Sequence, residues 1–124
     1  MLRLNVDLTS PVPAYQQVVQ AIKIEILSGR LKDGDRLPPI RELAKILKLN
    51  PNTVAKAYYT LEEEALVEGR PGSGNWVKTK GAALDGLRRS LLEGETKVYL
   101  EKAFSLGASL KDIGQTIERI TRHA

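Results

Sequence analysis

Apolar residues near the start of the chain recur at steps of three and four, the spacing of a helix that buries one face. This stripe starts after Pro13 and stops before Ser28-Gly29. Proline suits the first turn of a helix, and glycine adopts the left-handed conformation that ends many helices. The pattern therefore predicts a first helix between these limits. Its inward stripe consists of Tyr15, Val18, Val19, Ile22 and Ile26.

Two shorter apolar stripes follow, and only a few residues separate them. The second helix is predicted to start after Pro38-Pro39 and to end at the link Lys48-Leu49. Asn50 then has the residue type of a helix cap, and the proline after it suits a first helical position. Two helices joined by so short a link are typical of a helix-turn-helix. The inward stripes are Ile40, Leu43, Ala44 and Leu47 in the second helix, and Val54, Ala57, Tyr58 and Leu61 in the third.

The segment after the third helix changes to a pattern typical of strands. Residues 66–68 and 76–78 can each form a short strand, and residues 69–75 between them are rich in glycine. Glycine and asparagine supply the positive φ angles that a chain reversal needs, so we expect a β-hairpin with a loose tip. Residues 31–39 are expected to form a turn and at most a short strand. Three helices followed by a hairpin predict a winged helix.

Helical spacing returns after Lys80, and we expect a domain boundary near Gly81. The predicted domains are a winged helix-turn-helix at residues 1–80 and a tail of two or three helices at residues 81–124. Ser109, with Asp112 three residues later, has the spacing of a capping box at the start of the last helix. The predicted fold class is therefore mainly α with one small β-hairpin.

The apolar stripes of the tail form either the core of a small domain or a surface for another chain. Residues 81–124 are too few to enclose a ligand cavity of good size. The stripes also lack enough partners within one chain, so we favour packing against a second copy. The predicted dimerisation residues are Leu84, Leu87, Leu91, Leu110, Ile113, Ile117 and Ile120.

Charge is distributed unevenly along the chain, in which 19 Lys and Arg outnumber 15 Asp and Glu. Between residues 36 and 56 there are five cations and a single acid, a balance typical of a surface that faces phosphate. The chain has no cysteine and no long apolar run, so we expect a cytoplasmic protein without disulfides, signal peptide or membrane span. The five cations are Arg36, Arg41, Lys45, Lys48 and Lys56.

No residue pattern in the sequence is typical of catalysis. Glu62, Glu63 and Glu64 are consecutive and cannot converge from one helix face, so we expect a solvated helix end. His123 is the single histidine, and the glycine-rich segment lacks the Gly-Lys-Ser/Thr ending of a nucleotide-binding loop. With no nucleophile–base pair, metal cluster or cofactor fingerprint, we expect no enzyme, no cofactor and no metal site.

Four sequence blocks resemble the DNA-binding domain of the GntR family of transcriptional regulators, and they occur in the family's order. They are PAYQQ at 13–17, GDRLPPIRELA at 34–44, NPNTVAKAY at 50–58 with LE at 61–62, and RPGSG at 70–74 with Val77. The short helical tail and the NPNTV start of the third helix are similar to the YtrA-type subfamily. This resemblance implies a winged-helix regulator whose tail dimerises rather than binds a metabolite.

The resemblance also implies DNA contacts by residues of both helices. Arg41 matches a helix-two arginine that family members use on DNA, and its guanidinium suits phosphate or a guanine edge. Asn52, Thr53 and Lys56 occupy the exposed start of the recognition helix, where side chains face the major groove. A solvated helix face is the alternative for these three, and an ion pair is the alternative for Arg41. Asn50 fits a structural cap better than a base contact.

The predicted wing matches the family at its glycines and departs from it nearby. Gly72 and Gly74 match a wing tip that approaches the minor groove, although ordinary turn glycines have the same pattern. Family members often have serine where this chain has Pro39, so a cap or phosphate contact from that hydroxyl is not expected here. Some members have arginine in place of Pro51, and the base contact of that arginine is not expected either. Asn75 and Trp76 replace the threonine and aromatic residue that are commoner after the wing, with little expected consequence. The predicted DNA-binding residues are Arg36, Arg41, Asn50, Asn52, Thr53, Lys56, Tyr59, Arg70, Gly72, Ser73 and Gly74.

These observations predict a sequence-specific regulator, of the repressor type, that binds an inverted-repeat operator duplex as a homodimer. The alternative is a winged helix that binds nucleic acid without sequence preference, or that binds a protein. Specific binding should survive moderate salt, whereas non-specific binding falls steeply with salt on any duplex. A small-molecule effector between subunits is left open, and no residue indicates one.

Overall fold

The computed structural model describes residues 4–80 and 82–123. Within them the protein is mainly helical and has one antiparallel β-hairpin, which confirms the predicted fold class. In chain order the elements are α1 (Ala14–Leu27), α2 (Ile40–Leu47), α3 (Pro51–Glu63), β1 (Val67–Arg70), β2 (Gly74–Val77), α4 (Ala82–Ser105) and α5 (Leu110–Arg122).

The chain packs as two compact units, of which the first ends at Leu87 and the second begins at Arg88. The first unit holds α1 to α3, the hairpin and the start of α4, where Leu84 and Leu87 pack against its core. The predicted boundary near Gly81 lies outside the described residues. Domain limits of 1–80 and 81–124 therefore stay a prediction.

The core of the first unit forms where α1 and α2 each pack against α3. All four predicted inward residues of α3 are buried, and so are Val18, Val19, Ile22 and Ile26 of α1. In α2, Leu43 and Ala44 are buried, whereas Ile40 and Leu47 are partly buried against the same cluster. Helical periodicity therefore identified the inner faces of all three helices correctly.

Prolines precede both of the first two helices. Pro13 and Pro39 each have φ −54° and an extended ψ, and each is the last residue before its helix. Their carbonyls accept the first helical hydrogen bonds, from Gln17 N at 3.2 Å and from Leu43 N at 3.0 Å. Lys48 ends α2 in the left-handed region at φ 58°, and this sharp turn leads the chain directly into α3.

The wing is a tight hairpin, so the predicted loose tip was wrong. The two strands pair from Val67 with Val77 to Arg70 with Gly74, which leaves only residues 71–73 in the turn. The turn closes with a 2.9 Å hydrogen bond from Ser73 N to Arg70 O, and Gly72 has φ +73°. Pairing continues close to the tip because glycine tolerates the positive φ angles of the reversal.

The segment before α2 forms the short strand-like contact that the sequence allowed. Arg36 makes an isolated antiparallel bridge to Trp76. Hydrogen bonds on either side of it join Leu37 N to Asn75 O at 2.8 Å and Val77 N to Asp35 O at 2.7 Å. The wing is therefore anchored to the entrance of α2 as well as to its own hairpin partner.

The tail contains two helices, within the two or three expected. The apolar residues of the tail from Leu84 to Phe104 lie on one helix, α4, of 24 residues, whereas Leu106 follows its end. At the start of α5, Ser109 and Asp112 form the predicted capping box, with hydrogen bonds of 2.9 and 3.1 Å. The hydrogen bonds from Ser109 hold the pKa of Asp112 below its usual value. No helix in the described residues is both long and apolar enough to cross a membrane.

A hydrogen bond from Tyr58 connects α3 to the segment before α2. Its hydroxyl donates a 2.7 Å hydrogen bond to Pro38 O, and the side chain is 2% exposed. Burial, and secondarily the nearby Glu42 carboxylate, raises the pKa of Tyr58 well above its usual value. The unfolded chain ionises this phenol at about pH 10, so its contribution to stability is complete below that pH and is lost as pH rises further.

We expect Tyr58→Phe to lower the free energy of unfolding by about 1 kcal/mol near neutral pH, because Pro38 O loses its partner. Denaturant unfolding from pH 8 to about pH 11.5 should show a shallower alkaline decline in this variant than in the wild type. The matched control is Tyr59→Phe, at a residue that is 60% exposed. Equal pH profiles for all three proteins would contradict the assignment.

Candidate nucleic-acid interface

The N-terminal end of α3 presents polar side chains on the face opposite its buried stripe. Asn52 and Lys56 are exposed, and Thr53 is half-buried. Pro51 has no backbone N–H, and the N–H groups of Asn52 and Thr53 are already bound by Asn50, so side chains rather than free backbone groups define this helix end. The predicted groove-facing set is therefore brought together on one exposed helix end.

Asn50 acts as the cap of α3. Its Oδ1 accepts a 2.8 Å hydrogen bond from Asn52 N, and its backbone is extended at φ −65° and ψ 134°. The structure thus confirms the capping role that the sequence favoured for this residue. A base contact by Asn50 stays a prediction.

Lys56 contacts an aromatic ring of α1. Its ammonium lies 4.1 Å from the ring centroid of Tyr15, in the first turn of α1. A cation at this distance from a ring face is attracted by the ring quadrupole. Tyr15 was predicted only as part of the α1 stripe. Nothing in the spacing of the two residues, which are far apart in sequence, indicates their contact.

Two cations of α2 lie at the surface. Arg41 and Lys45 are exposed, and neither side chain makes a hydrogen bond or ion pair with another residue of the described chain. Tyr59 is 60% exposed on α3. Cations that are already paired must give up their carboxylate before they bind phosphate. Arg41 and Lys45 carry no such cost.

The wing brings two predicted arginines to the same ring. The guanidinium carbons of Arg36 and Arg70 lie 5.8 Å and 5.0 Å from the ring centroid of Trp76. Arg36 also lies against Gly74, where an added Cβ would be 2.8 Å from Arg36 Nε. Ser73 and Gly72 are exposed at the tip. The predicted wing residues therefore form one continuous group.

The glutamates at the end of α3 are more than a solvated helix end. Glu62 Oε2 accepts a 2.7 Å hydrogen bond from Gly69 N in β1, and Glu64 forms a 2.9 Å ion pair with Lys23 of α1. These carboxylates thus join α3 to the wing and to α1. Negative charge lies at the C-terminal end of α3 and the polar, cationic face at its start. No group of acidic or histidine side chains in the described ranges could hold a metal ion.

The predicted dimerisation residues lie in α4 and α5 and differ in their burial. Leu84, Leu87 and Leu91 are half-buried, and the first two pack against the core of the first unit. In α5, Ile113 is 6% exposed, so it packs within its own chain. The remaining three side chains are exposed, namely Leu110, Ile117 and Ile120.

The sequence of this chain has known counterparts. Residues 14–77 match the sequence model of the gntR family of bacterial regulatory proteins. Over 120 residues the chain is 34% identical to the HTH-type transcriptional repressor YtrA of Bacillus subtilis strain 168, a match covering 95% of this chain and 92% of that protein. The chain belongs to the GntR family.

Solved structures share the fold of this GntR-family chain. A GntR family transcriptional regulator from Listeria monocytogenes has a TM-score of 0.81 at 28% identity, over 91% of this chain and 97% of that chain. AraR(DBD), solved in complex with operator ORX1, has a TM-score of 0.56 at 26% identity, over 60% of this chain and 96% of that chain. The comparisons confirm the family and the fold class that the sequence predicted.

The capping role of Asn50 in this GntR-family chain is testable by stability alone. We expect Asn50→Ala to lower the free energy of unfolding by about 1 kcal/mol, because the N–H of Asn52 loses its acceptor. Asn52→Ala is the matched control, since only the backbone of Asn52 takes part in the cap, and its effect should stay within about 0.5 kcal/mol. Urea unfolding measures both. A loss confined to Asn52→Ala would contradict the assignment.

Proposed function

We propose that this chain is a transcriptional repressor that binds an inverted-repeat operator duplex as a homodimer. The observation that carries the proposal is the exposed polar end of α3, the second helix of a helix-turn-helix. It is flanked by Arg41 and Lys45, which have no ion-pair partner among the described residues. The repressor YtrA among its relatives, and the operator complex of AraR(DBD), support the same reading. The proposal assigns the protein no catalytic step and places it in the cytoplasm, where bacterial DNA lies.

In this proposal, α3 enters the major groove with its N-terminal residues toward the bases. The amide of Asn52 suits the N6 and N7 edge of adenine, and Lys56 reaches guanine or phosphate. Thr53 contacts either a base or the backbone. Arg41, from the neighbouring helix, binds phosphate or a guanine edge through its planar fork.

The wing and the exposed phenol of Tyr59 extend this contact along the backbone. Gly72 and Ser73 form a tip without a bulky side chain, which suits close approach to the minor groove. Arg36 and Arg70 lie beside that tip and add positive charge. Contacts of this kind set the register of a protein on the duplex, whereas base contacts supply the sequence preference.

The first experiment selects duplexes from a random DNA pool with the purified full chain at about 0.15 M salt. We expect a two-fold symmetric consensus, with half-sites spaced about one helical turn or a multiple of it apart. Arg41→Ala/Lys56→Ala should lose the consensus and bind the selected duplex at least about tenfold more weakly.

The matched control is Lys97→Ala/Lys102→Ala, which removes the same charge from exposed residues of α4. It should retain the consensus. Equal loss in both double variants would show that net charge alone drives binding, and the steep salt dependence of a non-specific binder would accompany it. Absence of any consensus for the wild type would overturn the proposal.

The homodimer is supported by the apolar side chains of the second unit. Ala103 and Ile113 are its buried apolar residues within the described chain. Many of its larger apolar side chains remain exposed, and such surface is typical of a contact with another chain. A second copy would cover them. The exposed set includes Leu92, Val98, Phe104, Leu106, Leu110, Ile117 and Ile120.

We expect Ile117→Glu to shift the protein from dimer to monomer at micromolar concentration, because an apolar contact would then bury an unpaired charge. Sedimentation velocity measures the change. Gln115→Glu adds the same charge to an exposed residue on the other side of α5 and should stay dimeric. A wild type that sediments as a monomer would refute the dimer and leave the DNA-binding test intact.

A further inference from the structure

Trp76 lies between the two wing arginines in the pairing pattern of the sheet. It pairs with Glu68 across the hairpin and bridges to Arg36 on its other side. Side chains alternate between faces along a strand, so Trp76 lies on the face opposite the buried Val77. Arg70 is two residues from Glu68 and occupies the diagonal position, which long side chains reach.

The indole ring is the main contact shared by both guanidinium groups. Both lie within about 6 Å of the ring centroid, the range in which a cation is attracted to a ring face. Tryptophan is the strongest partner for such a contact. The indole Nε1 is shielded from solvent and has no hydrogen-bond partner among the described residues. The ring therefore acts through its face and not as a hydrogen-bond donor.

Other contacts hold the two arginines weakly. Arg70 Nε is 3.6 Å from Glu68 Oε1, and both side chains are about half exposed, so water screens this pair. Arg36 forms no ion pair within the described ranges, although it lies closely over Gly74. Without the ring, two long cationic side chains at neighbouring sites would repel each other and adopt many rotamers.

We infer that Trp76 is a positioning residue that orders Arg36 and Arg70 for contact with the phosphates beside the wing. The inference rests on the proposed DNA-binding function. A carboxylate could also orient an arginine, but it would neutralise the charge that phosphate must meet. A ring face carries no net charge, so it orders the guanidinium groups before binding and leaves their positive charge available.

The test compares Trp76→Phe, which keeps an aromatic face, with Trp76→Leu, which keeps an apolar side chain without one. Far-UV circular dichroism and thermal unfolding first establish that both variants fold. Fluorescence anisotropy with the labelled duplex recovered by selection then measures affinity and its salt dependence. We expect Trp76→Leu to bind about tenfold more weakly, with a shallower salt dependence, and Trp76→Phe to recover most of the loss.

The same substitutions in an Arg36→Ala/Arg70→Ala background separate positioning from other roles of the ring. If Trp76 acts through the arginines, Trp76→Leu causes no further loss of affinity in that background. A full tenfold loss there would show that the ring contacts DNA itself or supports the fold, and it would overturn the inference.

Nuclear magnetic resonance of the free protein gives a readout that needs no DNA. The side-chain protons of Arg36 and Arg70 should be shifted upfield by the indole ring current in the wild type, and this shift should disappear in Trp76→Leu. Unshifted resonances in the wild type would overturn the inference.

If the wild type binds no duplex, the proposed function fails. If it binds and Trp76→Leu binds equally well, only the positioning role fails.

Discussion

The structure of the first unit depends on burial of one face of α3. Val54, Ala57, Tyr58 and Leu61 lie at helical spacing and are at most 2% exposed. Each larger member contributes about 2 kcal/mol by leaving water, and α1 and α2 both pack against this stripe. A helix places its residues at fixed angles around its axis, so burying these four residues directs Asn52 and Lys56 outward. The same packing that stabilises the fold thus presents the polar face.

Aromatic rings and carboxylates have different effects on the cations of this surface. Tyr15 lies under Lys56, and Trp76 contacts two arginines, so aromatic rings order three cations without cancelling their charge. Of the three, Arg70 also has a carboxylate nearby, the half-exposed Glu68 at 3.6 Å. Carboxylates have structural partners elsewhere, such as the ion pair of Lys23 with Glu64. Positive charge therefore stays available where an anion would bind, and the negative charge of α3 is kept at its other end.

The second unit has a different balance of forces. It buries few apolar side chains of its own, and much of its apolar surface remains exposed. The hydrogen-bonded cap at Ser109 fixes the start of α5, but a cap contributes only about 1 kcal/mol. A helix pair with so little internal burial gains most from an apolar partner, and this is the physical basis for proposing that a second copy covers it.

Sequence alone determined the local features of this protein. Apolar periodicity identified the inner faces of α1, α2 and α3, residue types identified the caps at Asn50 and Ser109, and glycines located the wing. Tertiary structure alone decided which distant side chains meet, such as Tyr15 with Lys56, Arg36 with Trp76, and Glu62 with Gly69. The reason is that periodicity, capping and turn formation depend on neighbours within a few residues. Contacts across the fold depend on how whole elements pack and pair, which no local pattern encodes.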